Sequence, residues 1–350
     1  MFYGCKSLIN APELPAMTFA RTGSCYASMF EGCTSLTTAP ELPATILEDM
    51  CYRYMFKNCT SLTSAPELPA TTLEHSCYSN MFNGCTSLTT APELPATTLA
   101  KSCYLLMFYN CTSLTTAPEL PATILADDCY DTMFSGCTSL TSAPELPATI
   151  STYMCYRYMF KNCISLTTAP ELPATILAEN CYESMFSGCT SLTSAPELPA
   201  TTLERYCYGY MFNGCTSLTT APELPAKTLK NYCYVGMFGG TNLLPDCSNI
   251  DFTNRSVVTS GGLRGLFSGT KVTDADLERI LPKNNKGKYC LPVTALSANC
   301  YSSMFSNCTL LVTAPELPAT ELDSQCYSSM FSYCASLVNA PELPATTLAD

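Results

Sequence analysis

The stretch L-T-T-A-P-E-L-P-A-T-I-L-E-D-M-C-Y-R-Y-M-F-K-N-C-T-S-L, residues 36–62, decides the fold because the chain repeats it almost unchanged. Its second cysteine recurs every 26 residues, without a slip, at Cys33, Cys59, Cys85, Cys111, Cys137, Cys163, Cys189 and Cys215. A fixed period of about 20–50 residues is typical of an array in which each supersecondary unit buries its apolar face against the next. The sequence therefore predicts an α/β repeat solenoid of about 13 coils.

The first half of each repeat predicts a short parallel strand. Leu36, Ala39 and Leu42 are apolar positions separated by polar residues. Pro40 and Pro43 have no N–H to donate to a sheet, so the hydrogen-bonded part should lie near residues 36–39.

The second half predicts a short helix. Cys51, Met55 and Cys59 follow i, i+4, i+8 spacing, the apolar face of about two helical turns. The residue before the second cysteine is Gly or Asn in every repeat but one, Tyr333 being the exception. Because Gly and Asn accept the left-handed conformation that closes a helix, each helix should end there.

Composition excludes several classes of partner. Charged residues are only 13% of the chain, and 17 basic against 29 acidic side chains give a net charge of −12. No basic run exists to neutralise phosphates, which argues against nucleic acid and against an anionic membrane surface. No apolar stretch reaches the ~18–20 residues of a membrane span, so direct membrane insertion is not expected. Met1 and Phe2 already occupy the Met-Phe position of a repeat, and we expect a segment of a longer array whose signal and anchor lie elsewhere.

The cysteines favour packing over chemistry. Zinc sites usually show C-x-x-C spacing with histidine, whereas here two cysteines stand eight residues apart and His75 is the one histidine. We therefore predict no metal. Thr241 and Thr270 replace the second cysteine in two repeats, which favours free buried thiols over obligate bridges. Disulfides between neighbouring repeats remain geometrically open, and Cys247 with Cys290 is the single pair to test.

Catalytic motifs are absent from the sequence. A cysteine or serine nucleophile needs a base beside it, and one histidine at a variable position cannot serve a repeated site. The sequence contains no G-x-S-x-G, H-E-x-x-H, P-loop or G-x-G-x-x-G motif. We predict no enzyme activity, no catalytic residue and no cofactor.

One acidic position is constant among the regular repeats. If repeats stack at about 5 Å, these carboxylates form a row of like charges, which two interpretations fit. The row is either a cation-collecting stripe or a solvated edge that prevents sheet-on-sheet aggregation, and we favour the edge. The candidate stripe is Glu41, Glu67, Glu93, Glu119, Glu145, Glu171, Glu197 and Glu223.

The positions flanking the predicted helix change freely from repeat to repeat. On a helix they would face away from the Met and Phe core, and they contain Tyr and Arg, which binding surfaces favour. A diversified recognition surface explains them better than drift at exposed sites. The candidate ligand-binding residues are Arg53, Tyr54, Tyr153, Arg157, Tyr158, Arg205, Tyr206 and Tyr210.

Regularity fails once, so we divide the chain into a regular array at 1–241, an irregular part of the same solenoid at 242–299, and regular repeats at 300–350. Gly262–Thr270 looks like a degenerate helix position. The acidic residues Asp274, Asp276 and Glu278 suit the first turn of a further helix that reaches Leu281.

The pattern resembles the leucine-rich repeats of the BspA-like, Treponema-type bacterial surface proteins. The matching residues are Leu36, Leu42 and Pro43, followed by the x-x-M-F-x-x-C-x-x-L run of Met55, Phe56, Cys59 and Leu62. The resemblance implies a right-handed leucine-rich-repeat superhelix and an extracellular, surface-attached binding or adhesion protein. Its partner would be a protein or glycan on a host or neighbouring cell. A structural alternative is a spacer, or a filament built by head-to-tail self-association.

Overall fold

The computed structural model describes residues 1–14, 23–226, 228–242, 259–291, 296–345 and 347–348. The chain forms two compact units. The first contains Met1–Pro173 and Gly188–Thr190, and the second contains Ala174–Ser187 and Ser191–Asp350. The division of the chain at 241 and 299 remains a prediction.

Extended structure is limited to short parallel contacts between repeats. Strand β1 (Glu321–Leu322) pairs in parallel with strand β2 (Thr347–Leu348). Elsewhere in the described chain, neighbouring repeats pair through single parallel bridges, such as Asn10 with Thr38. That bridge lies where the sequence predicts pairing. A second bridge, Ile46 with Thr72, was not predicted.

The predicted helices of the repeats are wrong. Residues 49–58 form consecutive turns, and the one α-helix among the described residues is α1, Asp274–Ile280, outside the regular repeats. Met55 N–H donates to the Tyr52 carbonyl three residues earlier, at 3.1 Å. Its neighbour Phe56 donates instead to Met81 of the next repeat, at 3.0 Å. Backbone N–H groups therefore alternate between their own repeat and the following one.

Each run of turns contains a left-handed residue at every fourth position. In the repeat above these are Met50, Tyr54 and Asn58, with φ of 56°, 60° and 60°. The left-handed conformation predicted before the second cysteine is thus confirmed, and Tyr333 adopts it as well, at 60°. Two further left-handed positions were not predicted.

A four-residue turn explains the spacing that suggested a helix. Cys51, Met55 and Cys59 stand four residues apart, and four is the period of the turns as well as an approximation to the 3.6 residues of a helical turn. A helix would use its N–H groups internally. The turns leave half of them to bind the next repeat, which a stacked array requires.

Glycine substitution distinguishes the turns from a helix. Leu106 is left-handed, with φ of 55°, so Leu106→Gly relieves backbone strain and is expected to leave stability unchanged or raise it by up to about 1 kcal/mol. Leu105 is equally half-buried but is not among the left-handed residues, and Leu105→Gly should cost about 1 kcal/mol. Urea unfolding of the two variants measures the difference. Equal losses in both would contradict the turn assignment.

Two aromatic columns form the core of the first unit. Phe108 and Phe134 stack at 5.5 Å between ring centroids, with planes 3° apart. Tyr104 and Tyr130 stack at 5.7 Å beside them. These rings are fully or almost fully buried, and so are Cys103, Met107, Cys111 and Leu114 of the same repeat. Stacking of equivalent rings fixes the register between neighbouring repeats.

The second unit has the same kind of packing in its irregular part. Phe267 lies in a phenylalanine column of that unit, 6.3 Å from Phe238 and 5.9 Å from Phe305. Leu263 and Leu266 are fully buried beside it. The predicted degenerate repeat is therefore confirmed in its core positions, although its backbone forms turns instead of a helix.

Helix α1 confirms the sequence prediction for the segment after Thr273. The Asp276 carboxylate is buried and accepts the Thr273 N–H at 2.8 Å, which caps the helix. Asp274 accepts the N–H groups of Val312 and Thr313 at 2.9 and 3.1 Å. Burial raises the pKa of Asp274, but these hydrogen bonds outweigh it and hold the pKa below its usual value. They fasten the helix to the next repeat.

Candidate binding surfaces

The predicted recognition residues lie on or beside the left-handed turns, on the surface of each repeat. Tyr153 and Tyr210 are 41% and 39% exposed. Arg205 is exposed as well. The remaining predicted residues are half-buried: Arg53, Tyr54, Arg157, Tyr158 and Tyr206.

One cluster in the first unit contains Arg53, Tyr54 and Lys57. The guanidinium carbon and the Lys57 ammonium lie 4.7 and 4.9 Å from the centroid of the Tyr54 ring. Arg53 also donates to the Tyr54 hydroxyl at 3.0 Å. Glu31 pairs with Lys57 at 3.7 Å. Sequence reasoning proposed the first two residues and missed the lysine.

A second cluster in the same unit repeats this arrangement with a different partner. Arg157 and Lys161 lie 5.1 and 4.9 Å from the ring centroid of Tyr158. Here Arg157 forms two hydrogen bonds to the buried carboxylate of Asp131, at 3.3 and 2.7 Å. Burial, followed by the charge of Asp131, raises the pKa of Asp128 nearby.

The second unit has a tyrosine cluster on its surface. Tyr206 stacks on Tyr232 at 4.8 Å, and Arg205 lies 5.2 Å from the Tyr206 ring. Burial, with Tyr232 next, raises the pKa of Tyr206. The ring of Tyr210 lies against Gly236, where an added Cβ would come within 2.5 Å of it. Sequence reasoning missed Tyr232, which occupies the same repeat position as Tyr206.

The eight glutamates of the candidate stripe are all exposed, as either interpretation of that row requires. In the first unit, hollows lie between successive A-P-E-L-P segments. One of about 350 Å³ is lined by Pro66, Glu67, Pro92 and Glu93. Another of about 510 Å³ has Glu119 and Glu145 in its lining. Sequence reasoning missed these hollows, and the cation stripe remains a prediction.

The same hollow recurs in the second unit. It encloses about 550 Å³, and its lining includes Pro196, Glu197, Pro222 and Glu223. Because the lining comes from the constant part of two adjacent repeats, it keeps the same chemistry wherever two regular repeats meet. These three hollows therefore belong to the constant surface, and the tyrosines and arginines of the clusters belong to the varied one.

The thiols are mostly buried. Nineteen of the 23 described cysteines are buried, none of the 23 forms a disulfide, and Cys5 and Cys25 are exposed. In the second cysteine position the thiol donates to a phenylalanine carbonyl of the preceding repeat, as Cys137 does to Phe108 at 3.1 Å. Burial raises the pKa of Cys137 to about 12. Cys247 lies outside the described residues, so its pairing with Cys290 remains a prediction.

Within the described ranges, no group of three or more His, Cys, Asp or Glu side chains is arranged to hold a metal ion. Over the same ranges, no helix has the length and apolarity needed to span a bilayer.

A model of the BspA type leucine rich repeat region matches residues 1–124 and 102–239, with six copies. The chain belongs to the BspA-type leucine-rich repeat family. The resemblance inferred from sequence is thereby confirmed, together with the leucine-rich repeat fold. The matching family is a family of repeats and not of enzymes.

Two solved structures align with 97% of this BspA-type leucine-rich repeat chain. A leucine-rich repeat protein from Bacteroides ovatus is 18% identical, is covered over 82% of its length and gives a TM-score of 0.41. A leucine rich cell surface protein from Faecalibacterium prausnitzii is 16% identical, is covered over 86% and gives 0.44. No curated protein sequence matches the chain.

Proposed function

We propose that this protein is a non-catalytic binding and adhesion scaffold of the bacterial cell surface. It recognises a protein or glycan on a host or neighbouring cell through the varied side chains of its turns. Family membership supports the surface location and the scaffold role. The varied turns support recognition.

The observation that carries this proposal is the presence of tyrosine at left-handed positions. Tyr54, Tyr206 and Tyr210 have φ of 60°, 54° and 53°. Equivalent positions in another repeat hold Ser76 and Asn80 on the same backbone. Bulky residues are strained in this conformation, whereas Asn and Gly accept it. Drift alone would favour the unstrained residues, so the tyrosines indicate selection for the side chain.

The cluster around Tyr206 has suitable chemistry for such a surface. Tyr206, Tyr210 and Tyr232 present large apolar rings with few rotatable bonds, which lowers the entropy lost on binding. Arg205, exposed and paired with Glu179 at 3.4 Å, adds hydrogen-bond donors at the edge. An exposed ion pair of this kind contributes little to stability, so both side chains are available to a ligand.

The test replaces this cluster with residues the fold already uses. Tyr206→Ser and Tyr210→Asn reproduce the Ser76 and Asn80 repeat. The doubly substituted protein should keep or raise its melting temperature and lose at least about tenfold in affinity for ligands found by screening the wild type on glycan and extracellular-protein arrays. Ile124→Thr, a change between residues that share an exposed position, is the control. Unchanged binding, or no ligand on either array, would count against the proposal.

We further propose that the chain as a whole is a right-handed solenoid of about 13 coils. The support is the regular stacking of equivalent rings within each unit. Small-angle scattering should give the maximum dimension of a rod, roughly 65 Å at strand spacing. A compact globular profile would contradict this.

Self-association is a second candidate function. Tyr333, Val338 and Leu343 are 83%, 71% and 69% exposed in one repeat of the second unit, which is a large apolar surface. A second copy that stacks on this surface would extend the array head to tail. Light scattering over a concentration series tests it: growth with concentration supports a filament or spacer role, and a constant mass near 38 kDa opposes it.

A further inference from the structure

An octapeptide that occurs twice provides an internal comparison. Y-R-Y-M-F-K-N-C stands at 52–59 and again at 156–163, both in the first unit. In both copies an Arg and a Lys lie about the ring of the second Tyr at closely similar distances. The repeats on either side differ. The preceding repeat, 26 residues earlier, presents different side chains to the two copies. In the following repeat, Glu183 is in register with Arg157, whereas Ser79 is in register with Arg53.

The preceding repeat decides which cation has a carboxylate. Asp131 faces Arg157, and the two form a pair with two hydrogen bonds. The residue in register with Arg53 is Ala27, whose methyl group cannot accept a hydrogen bond. The carboxylate of the first copy is Glu31, which pairs with Lys57.

Arg53 therefore lacks the partner that its counterpart has. Among the described residues, no carboxylate oxygen lies within 4.0 Å of its guanidinium, and its buried Nε has no hydrogen-bond acceptor. Residues 15–22, which lie outside the described ranges, contain no Asp or Glu. A buried donor without an acceptor is unfavourable, and a charged one more so.

We propose that Arg53, flanked by Tyr54, is a docking point for a carboxylate side chain of a partner protein. The partner's Asp or Glu takes the role that Asp131 has in the second copy. This inference rests on the proposed binding function and names the chemistry of one part of its surface. An acidic peptide fits better than an acidic sugar for two reasons. Cations already lie at the Tyr54 ring, where a sugar would stack. The group that pairs with the equivalent arginine in the second copy, Asp131, is itself an aspartate side chain.

The left-over cation in each copy sets the selectivity. In the first copy the cation without a carboxylate in register is Arg53. In the second copy it is Lys161, because the residue 26 positions before it is Ser135, where the first copy has Glu31. Arginine presents a planar fork that matches both oxygens of a carboxylate, whereas lysine is a point charge. A carboxylate should therefore choose Arg53 over Lys161.

The experiment follows the arginine Nε–H signals by NMR during titration with N-acetyl-aspartate amide, with N-acetyl-asparagine amide at matched ionic strength as control. In the wild type the Arg53 signal should shift saturably and the Arg157 signal should not. Asp131→Ala combined with Glu183→Ser, which gives Arg157 the same neighbours in register as Arg53, should make Arg157 respond as well. In an Ala27→Asp variant the Arg53 signal should no longer shift. In a separate Arg53→Lys variant the affinity for N-acetyl-aspartate amide should fall at least about tenfold.

Three results would overturn the inference. The first is an Arg53 shift of equal size with the asparagine control, and the second is a wild-type Arg157 that responds like Arg53. The third is an Ala27→Asp protein that still binds. Equal affinity for glucuronate would remove the preference for a peptide. Ligands found on the arrays that ignore Ala27→Asp but lose affinity on Tyr206→Ser would show that the general binding function stands without this site.

Discussion

Replacing Phe134 by alanine is expected to lower the free energy of unfolding by about 3–5 kcal/mol. Phe134 is fully buried, and its ring stacks between Phe108 at 5.5 Å and Phe160 at 5.7 Å. Truncation removes the transfer free energy of the ring and exposes a cavity to both neighbours. The repeats on either side cannot collapse into it, because their backbone hydrogen bonds fix the spacing.

Urea unfolding measures this loss, read from the transition midpoint because a repeat array need not unfold in one step. Phe134→Leu, which keeps most of the volume, should cost about 1.5 kcal/mol or less. Ile124→Thr is the matched surface control, since Ile124 is 60% exposed, and should stay within about 0.5 kcal/mol. A Phe134→Ala midpoint no lower than that of the control would mean that the column does not carry the fold.

In the folded protein, the buried thiols are expected to be almost completely protected from reaction with a thiol reagent. A thiol of pKa about 12, such as Cys137, has roughly a thousandth of the thiolate of an exposed cysteine near neutral pH. Burial excludes the reagent as well. At pH 7.5 an aromatic disulfide reagent should titrate Cys5 and Cys25 rapidly, Cys290 and Cys334 more slowly, and the nineteen buried thiols only after urea is added.

A variant with serine at Cys5, Cys25 and Cys247 is the control for this titration. The last substitution removes a thiol whose surroundings are not described. The variant should lose the rapid phase and keep its stability. Rapid reaction of ten or more cysteines in the folded protein would contradict the burial of these thiols. A stability that depends on reductant would point to disulfide bonds between repeats.

The sequence was sufficient for the repeat and its register. A residue faces the one 26 positions away, so the pairing of Arg157 with Asp131 follows from the period alone once stacking is accepted. The core was predictable for the same reason. The left-handed residue before each second cysteine was also predictable, because Gly and Asn mark it in all repeats but one.

The backbone between Met50 and Asn58 was not predictable in the same way. Apolar residues four apart satisfy both a helix and a run of four-residue turns, and the choice depends on hydrogen bonds to the next repeat, which periodicity does not encode. The sequence gives no signal of the left-handed conformation at these positions, because they hold bulky residues such as Tyr54 and Leu106 instead of Gly or Asn. The hollows beside Glu67 and Glu119 depend on the shape of paired prolines, which composition does not reveal.

The alternation of backbone donors also bears on how such a gene can change. Phe56 N–H reaches the Met81 carbonyl, and the same register holds for Phe108 and Met133. Recombination that adds or removes whole 26-residue modules leaves every such bond in register. Loss of a single codon within 50–59 would shift the backbone by one residue, so that N–H groups that bond to the next repeat would take the places of those that bond within their own repeat. In the enlarged repeat the extra residues lie outside the turns, because Phe267 N–H still meets the Met304 carbonyl across 37 residues. The number of repeats can therefore change, whereas the number of residues in each run of turns cannot.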